Sequence, residues 1–284
     1  PKMLFGEFWF EGELCILFSD TNMGKSILAV QIGDSITKGT PIHGFKLEAL
    51  QQPVLYFDFE LSDKQFEIRY SLEYQHHYLW DNSFLRVEIN PDSIIPENMN
   101  FEDFLTASLE KAIIETKSKI LIIDNITYLK NETERAKDAL PLMKHIKALK
   151  KKYGLSVLAL AHTPKRDMSK PITRNDLSGS KMLMNFCDSS FAIGESSTDK
   201  SIRYIKQIKA RNTSMIYDTD NVCVCQIDKP HNFLLFEFLH FGNEFEHLKQ
   251  LTLKDKTARA NEVAALKKQG LSNVEIAEKY QVSE

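Results

Sequence analysis

The chain has few cysteines and no long apolar run, and each absence excludes a class of protein. Its four cysteines form no Cys-x-x-Cys pair, and its eight histidines show no His-x-x-x-His or His-Glu-x-x-His spacing. We therefore expect buried free thiols and no zinc site. The longest apolar stretches, 120–123 and 155–161, fall far short of the roughly 20 residues that cross a bilayer. Because no signal-peptide pattern opens the sequence either, we expect a cytoplasmic protein with no membrane partner.

The composition also lacks any extreme. The hydrophobic share is 43% and the charged share 26%, which is typical of a folded globular protein and excludes the disordered classes. With a net charge of −3, binding to nucleic acid would depend on local basic patches. The 284 residues suffice for one large α/β core and a small appendage. The sequence begins at Pro1, close to a predicted strand, so we expect it to be a piece of a longer protein.

Apolar runs of strand length alternate with helical patterns over the first part of the chain. The predicted strands are 14–18, 54–59, 84–89, 120–124 and 155–161, and the predicted helices are 27–37, 63–74, 101–116 and 139–153. This alternation is typical of a parallel sheet covered by helices. Consecutive strands then follow at 189–193, 202–208, 222–227 and 233–239. The fold class is therefore α/β, with a mostly parallel central sheet flanked by helices and with antiparallel hairpins toward its C-terminal end.

A Gly-Lys-Ser sequence follows the first of these strands and opens the first helix. Residues 19–26 fit the phosphate-binding loop G-x-x-x-x-G-K-[ST], except that Ser19 stands at its first glycine. Such a loop points backbone N–H groups and a helix N-terminus at a polyphosphate, and Gly24 lets the backbone approach closely. Lys25 would contact the phosphates. The predicted nucleotide-binding residues are Ser19, Asp20, Thr21, Asn22, Met23, Gly24, Lys25, Ser26 and Ile27.

The Gly-Lys-Ser triplet alone is weak support, because an ordinary strand, turn and capped helix can contain it. Two acids strengthen the assignment. Asp124 ends a run of four apolar residues, where a buried strand would deliver it to the edge of the sheet, so we assign it to the Mg²⁺ site with Ser26. Glu60 follows another strand and is the candidate general base for an attacking water. Asp58 competes for that role, and both Glu60 and Asp124 could instead cap local structure.

These motifs, with the polar residue His162 after a later strand, resemble the RecA-like ATPases and most closely the hexameric replicative helicases of the RepA and DnaB type. The resemblance covers about residues 4–240. It implies a RecA-like P-loop NTPase fold, ATP and Mg²⁺ as cofactors, and a homo-oligomeric ring, which is a hexamer in those helicases. It also implies that His162 senses the γ-phosphate, although a lone histidine at a strand end can equally be satisfied by backbone groups.

Two basic segments receive a role from the same resemblance. Lys209 and Arg211 stand in a Lys-x-Arg-Asn turn similar to the one that DnaB-type helicases direct at a neighbouring subunit's nucleotide, and a solvated hairpin tip is the alternative. The polar loop at 164–175 corresponds to the loop that contacts single-stranded DNA in such helicases, but surface loops of this composition can also be inert. The candidate DNA contacts are Lys165, Arg166, Lys170 and Arg174.

The end of the chain resembles the first two helices of a resolvase-type helix-turn-helix. Ser272 would cap the second helix, and Val282 and Ser283 would open the recognition helix. We therefore expect an ATPase domain at 1–247, a linker at 248–257 and a partial DNA-binding segment at 258–284.

The function that these features predict is Mg²⁺-dependent ATP hydrolysis coupled to single-stranded or double-stranded DNA. A RepA-like replicative helicase of a plasmid or mobile element is the first choice. The alternatives are a RecA-like or KaiC-like ATPase that does not unwind DNA, and a DNA-bound regulator that uses nucleotide only as a switch. No residue suited to stack on adenine stands out in the sequence, so the choice of ATP over GTP rests on the resemblance.

Overall fold

The computed structural model describes residues 1–88, 96–126, 139–164, 166–177 and 180–280. The candidate DNA contact Lys165 and the recognition-helix residues Val282 and Ser283 lie outside these ranges. In chain order the strands are β1 (Met3–Phe5), β2 (Trp9–Phe10), β3 (Leu14–Ser19), β4 (Val54–Asp58), β5 (Ser71–Leu72), β6 (His76–His77), β7 (Phe84–Glu88), β8 (Ile120–Asp124), β9 (Ser156–His162), β10 (Ser189–Glu195), β11 (Ile202–Lys209), β12 (Val222–Asp228) and β13 (Leu235–Gly242). The helices are α1 (Lys25–Lys38), α2 (Asp63–Arg69), α3 (Phe101–Thr116), α4 (Ala139–Tyr153), α5 (Ser180–Phe186), α6 (Leu253–Lys268) and α7 (Asn273–Tyr280), and short 3₁₀ turns cover Arg174–Asp176 and Glu244–His247.

Nine of the described strands form one sheet, in the order β13-β12-β11-β10-β3-β9-β8-β4-β7. From β10 to β7 along this order, neighbouring strands are parallel, whereas β10, β11, β12 and β13 pair antiparallel. The predicted fold, mostly parallel with antiparallel C-terminal hairpins, is confirmed. The register brings the carboxyl ends of the central strands together, because Ser19 lies opposite His162 and Asp58 lies opposite Asp124.

Both faces of the sheet are covered, which explains why its parallel strands read as continuous apolar runs. On one face, α3 and α4 contribute core side chains such as Leu109 and Ile146. On the other face, α1 contributes side chains such as Leu28 and Ile32. Each fully buried aliphatic side chain of this kind stabilises the fold by about 1.5–3 kcal/mol. The two cores therefore hold in place the strand ends that carry the polar residues.

The remaining apolar features agree with this two-sided core. The four cysteines are buried and form no disulfide, as predicted, and burial raises the pKa of the Cys187 thiol to about 11. Among the described helices, none combines the length and the apolar character that a bilayer crossing requires.

The helix predicted at 63–74 is wrong at its end. Ser62 begins α2 with a capping box, but α2 stops at Arg69 and a small hairpin of β5 and β6 follows. Glu73 and Tyr74 form the hairpin turn with φ of 48° and 62°. This left-handed backbone is incompatible with a continuing helix.

The helix expected to begin at residue 258 begins earlier, because α6 starts at Leu253, inside the segment predicted as a linker at 248–257. This stretch is rich in leucine and lysine, which are good helix formers, so its charge alone does not mark a linker. The predicted cap of α7 is present: the Ser272 hydroxyl accepts the Glu275 N–H at 3.3 Å, and the Glu275 carboxylate accepts the Ser272 N–H at 2.8 Å.

Candidate nucleotide site

A cavity lies at the carboxyl edge of the sheet, where the central strands end and α1 begins. Its lining comes from the loop between β3 and α1, from the first turn of α1, from the segment between β4 and α2, and from the ends of α2 and β9. The lining residues are Asn22, Gly24, Lys25, Ser26, Ile27, Glu60, Arg69 and His162. All of them except Arg69 belong to the site predicted from the sequence.

The loop between β3 and α1 has the backbone pattern of an anion cradle. Asn22 and Gly24 have left-handed φ values of 63° and 97°, which gather successive N–H groups into a concave nest. A Cβ at Gly24 would lie 2.9 Å from the ring of Phe236 and 3.0 Å from the side chain of Ile227. Glycine is therefore required here by the conformation and also by the packing of β12 and β13 against the loop.

Lys25, the first residue of α1, folds back over this loop. Its Nζ donates to the carbonyl oxygens of Ser19 and Asp20 at 3.1 and 2.9 Å, and to Nδ1 of His162 at 3.1 Å. Burial lowers the pKa of Lys25 to about 8, although the nearby carboxylates of Glu60, Asp124 and Asp20 oppose the shift. Because hydrogen bonds to charged oxygens are stronger than these neutral ones, Lys25 can exchange its present acceptors for phosphate oxygens.

Asp124 provides an oxygen suited to a cation. Its Oδ2 accepts a hydrogen bond from the Tyr56 hydroxyl at 2.6 Å, while its buried Oδ1 accepts none from the part of the chain that the structure describes. Burial raises the pKa of Asp124 to about 6, and the nearby hydroxyls of Ser26 and Tyr56 oppose this. Mg²⁺ takes oxygen ligands, so a buried carboxylate oxygen that needs a partner, close to the Ser26 hydroxyl, fits Mg²⁺ at the two predicted positions.

The structure separates the roles of Glu60 and Asp58. Asp58 is fully buried, pairs with Nε of Arg86 at 2.9 Å, and accepts the N–H groups of Glu60 and Leu61 at 3.1 and 2.9 Å. It therefore shapes the turn after β4. Glu60 has a side chain that is 36% exposed and lines the cavity. The described carboxylate that can meet a water in the cavity is thus Glu60, and Asp58 positions it.

His162 connects Lys25 to Glu60 through Asn125. Nε2 of His162 lies 2.8 Å from Nδ2 of Asn125, which also donates to Oε2 of Glu60 at 2.9 Å. Burial lowers the pKa of His162 and the charge of Lys25 lowers it further, while the charges of Glu60 and Asp20 oppose the shift. A neutral ring carries one N–H. With Nδ1 accepting from Lys25, that hydrogen is on Nε2 and faces the Asn125 amide nitrogen. The ring nitrogen that carries the hydrogen therefore depends on the position of Lys25.

A family model described as an AAA domain matches residues 1–168, which is more than half of the chain. The chain belongs to this AAA domain family. A solved KaiC-like protein from the hyperthermophilic archaeon Pyrococcus horikoshii OT3 has the same fold, with a TM-score of 0.51, 15% sequence identity, and coverage of 80% of this chain and 90% of that one. No curated protein sequence matches. This AAA domain is thus a nucleotide-binding P-loop NTPase of the RecA-like type.

Lys209 and Arg211, which the resemblance assigned to a neighbouring subunit's nucleotide, lie away from the nucleotide site of their own chain. β11 runs antiparallel to β10, so the turn after it lies on the side where β3 starts, whereas the nucleotide loop follows the end of β3. Nζ of Lys209 donates to the carbonyl oxygens of Met184 and Cys187 at the end of α5. Arg211 donates to Asp188 at 2.7 Å, and its side chain is 61% exposed. Lys209 therefore has a capping role within its own subunit, and Arg211 is the more accessible of the two.

The predicted DNA contacts differ in their accessibility. Arg166 does not suit that role, because its side chain is only 6% exposed and its Nε lies 3.8 Å from Oδ2 of Asp20 in the nucleotide loop. Arg174 is exposed in its 3₁₀ turn, and Lys170 is half-buried. The polar composition of this loop correctly predicted an irregular segment, but it could not show which basic side chains turn inward.

Sequence reasoning missed Arg69 and Asn125. Arg69 is the last residue of α2 and lines the cavity; the capping box at Ser62 fixes where this short helix starts, and its length then sets where Arg69 lies. Asn125 stands in the motif that identified Asp124, but it received no role. The sequence did offer a signal for Asn125, because it is a polar residue directly after the acid that ends a strand. Other polar strand ends lie at the same edge of the sheet.

The pKa of Lys25 leads to a prediction for nucleotide affinity. Phosphate oxygens favour the charged ammonium and raise its pKa in the complex, so above pH 8 binding must take up a proton. We expect the association constant for a fluorescent ATP analogue to be nearly constant from pH 7 to 8 and then to fall by up to about tenfold per pH unit. The matched variant Lys25→Arg keeps its charge throughout this range, so its affinity should lack this dependence. An equal pH dependence in both proteins would contradict the assignment.

Proposed function

We propose that this AAA domain hydrolyses ATP with Mg²⁺ and couples hydrolysis to DNA, as a helicase-type motor. The observation that carries the proposal is the chain of contacts from Lys25 through His162 and Asn125 to Glu60. It joins the residue that would hold the phosphates to the residue that would activate water. One of its members, His162, ends β9, and the loop with Arg174 continues from that strand end.

Each residue of the site has a defined task in hydrolysis. The nest and Lys25 would hold the phosphate oxygens, while Ser26 and Asp124 would supply oxygens for the Mg²⁺ site. Bound Mg²⁺ would neutralise charge on the phosphates. Glu60 orients the attacking water and accepts its proton, since its carboxylate lies in the cavity. Arg69, at the cavity wall, supplies a second cation for the phosphates.

His162 responds to the position of Lys25. When Lys25 turns from Nδ1 toward a phosphate, Nδ1 is released from that contact and can carry the ring hydrogen. Nε2 can then accept a hydrogen bond from the Asn125 amide. In this way, phosphate binding changes the hydrogen bonds of His162 at the end of β9, next to the loop that follows this strand. This behaviour supports the γ-phosphate sensor role that the sequence resemblance implied for His162.

A homo-oligomeric ring is part of the proposal. The exposed Arg211 lies across the sheet from its own nucleotide loop, so it can act on a nucleotide only if a second copy presents one. A hexamer is the arrangement that the RepA and DnaB resemblance implies. Sedimentation measurements with and without ATP and Mg²⁺ test this assembly directly.

A second candidate is an ATPase that does not unwind DNA. The shared fold with the KaiC-like protein from Pyrococcus horikoshii favours it, because this fold is then not restricted to helicases. Steady-state ATPase activity with and without single-stranded DNA, together with a strand-displacement assay, separates the candidates. Stimulation with displacement supports the helicase, and stimulation without displacement supports the second candidate. An ATPase that ignores DNA contradicts the coupling of hydrolysis to DNA and agrees only with an ATPase that does not unwind DNA.

The loop after β9 gives a prediction for DNA binding. If Lys170 and Arg174 neutralise DNA phosphates, replacing both with Ala should flatten the plot of log affinity against log salt by about 1.4 for each subunit that engages single-stranded DNA, at about 0.7 per contact. The same change at the exposed Lys111 of α3 is the control and should leave the slope unchanged. An unchanged slope in the double variant would place DNA elsewhere, most simply on α6 and α7.

A further inference from the structure

The phosphate-binding loop contains an acid, Asp20, whose carboxylate is held by the loop after β9. Oδ1 of Asp20 accepts a hydrogen bond from the Thr163 hydroxyl, and Oδ2 faces Nε of Arg166 at 3.8 Å. The Thr163 N–H also donates to the Ser19 carbonyl at 3.0 Å. A carboxylate in a loop that binds a polyphosphate repels the ligand unless a cation compensates it.

The side chain of Arg166 is buried and does not face solvent. Its Nη1 donates to the Lys170 carbonyl at 3.0 Å, and its side chain is 6% exposed. Burial raises the pKa of Tyr204, and Arg166 lies close enough to oppose that rise. The guanidinium is thus surrounded by the nucleotide loop on one side and by its own loop and β11 on the other.

The far end of the same loop is fixed by a buried ion pair. Glu244 accepts the Ile172 N–H at 2.7 Å and pairs with Lys206, whose Nζ also donates to the Ile172 carbonyl at 2.9 Å. Both partners are buried. Because Ile172 is anchored in this way, the contacts that can differ with nucleotide occupancy lie at the other end of the segment, at Thr163 and Arg166.

We propose that Arg166 and Thr163 are positioning residues for the nucleotide site, and that Arg166 compensates the charge of Asp20 when a nucleoside triphosphate binds. Arg166 therefore does not contact DNA. Thr163 and Arg166, at the start of the loop after β9, connect this loop to the phosphate-binding loop. The part that concerns nucleotide affinity rests on the P-loop assignment alone, and only the coupling to DNA rests on the proposed function.

A double-mutant cycle tests the pair. Arg166→Ala leaves Asp20 uncompensated beside the phosphates, so it should weaken binding of a fluorescent ATP analogue by on the order of tenfold. Asp20→Asn removes the repelling charge, so the double variant should bind within about threefold of the parent protein. The control is Lys249→Ala, which removes an exposed cation next to the same loop and should leave affinity unchanged. Equilibrium binding is the readout, so neither hydrolysis nor DNA is required.

Three outcomes are possible, and each decides the proposal. Rescue of the Arg166→Ala defect by Asp20→Asn supports it, and that rescue also shows that the variant folds. An equal loss of affinity in the single and double variants overturns it, because the effect then does not pass through Asp20. Unchanged nucleotide affinity in Arg166→Ala also overturns it, and a flattened DNA salt dependence of that variant, measured separately, would make Arg166 a DNA contact. Because the cycle measures binding alone, it is informative even if the AAA domain proves not to act on DNA.

Discussion

Glu60→Gln should bind ATP as tightly as the parent protein but hydrolyse it about 10²–10⁴-fold more slowly, the usual effect of removing a general base. The glutamine keeps the size of the side chain and can accept a hydrogen bond from Asn125, so the cavity remains intact. It cannot take a proton from water. Of the described residues that line the cavity, Glu60 is the only carboxylic acid, which is why a large effect is expected from this single change.

Lys25→Ala should show the opposite pattern. Removing the ammonium deletes charge-assisted hydrogen bonds to phosphate, each worth roughly 1.5–3 kcal/mol, so the affinity for ATP should fall by about 10²-fold or more. Fluorescence titration gives the affinity of both variants, and single-turnover hydrolysis gives their chemical rates. Glu67→Gln is the control for Glu60→Gln, because it makes the same exchange at an acid of α2 outside the cavity lining. It should behave as the parent protein. Hydrolysis at the parent rate by Glu60→Gln would exclude Glu60 as the base.

The strand ends of this site were predictable because two simple regularities agree. Buried parallel strands require long apolar runs, and ligand-binding residues follow such strands at the carboxyl edge. Glu60, Asp124 and His162 each stand directly after or at the end of an apolar run, and the structure brings them to one cavity or directly beneath it. The order of the strands in the sheet did not need to be known for this inference.

What the sequence could not reveal depends on side-chain direction. Arg166 and Arg174 have the same chemistry in the same polar loop, yet one contacts the nucleotide loop and the other faces solvent. Lys209 likewise ends among backbone carbonyls of α5, a helix that has no strong periodic signal. The turn at Glu73 and Tyr74 escaped prediction because neither residue is a glycine or asparagine, the types that usually mark a left-handed backbone.

The choice between Glu60 and Asp58 shows what the structure adds. From the sequence, Glu60 was the candidate base because it follows the predicted strand at 54–59, and Asp58 at the end of that strand was its competitor. The buried contact of Asp58 with Arg86 and with the N–H groups of the turn removes it from the competition. A buried charge that is paired and hydrogen-bonded stabilises the fold and is not free to accept a proton from water, since breaking such a pair typically costs about 3–5 kcal/mol.

Arg211→Ala should bind ATP normally in each subunit and hydrolyse it at least ~10³-fold more slowly, because a guanidinium supplied in trans contributes about 10³–10⁵ in rate. The substitution removes one ion pair of an exposed side chain, and Asp188 keeps Lys150 at 2.7 Å and the Leu14 N–H at 2.9 Å as partners. The stability of the subunit should therefore change by no more than about 1 kcal/mol. Thermal unfolding checks this point, and it separates a catalytic loss from a folding loss.

Mixed oligomers test whether Arg211 acts on a neighbour. A Lys25→Ala subunit binds nucleotide poorly but keeps Arg211, whereas an Arg211→Ala subunit binds nucleotide but lacks the guanidinium. Combining the two should restore turnover, since the first can complete the site of the second across their interface. Lys152→Ala, which removes another exposed cation from a surface ion pair with Glu110, should hydrolyse ATP at the parent rate without any partner. If oligomers shown to contain both variants stay inactive, Arg211 does not act in trans, and its contact with Asp188 is then its role.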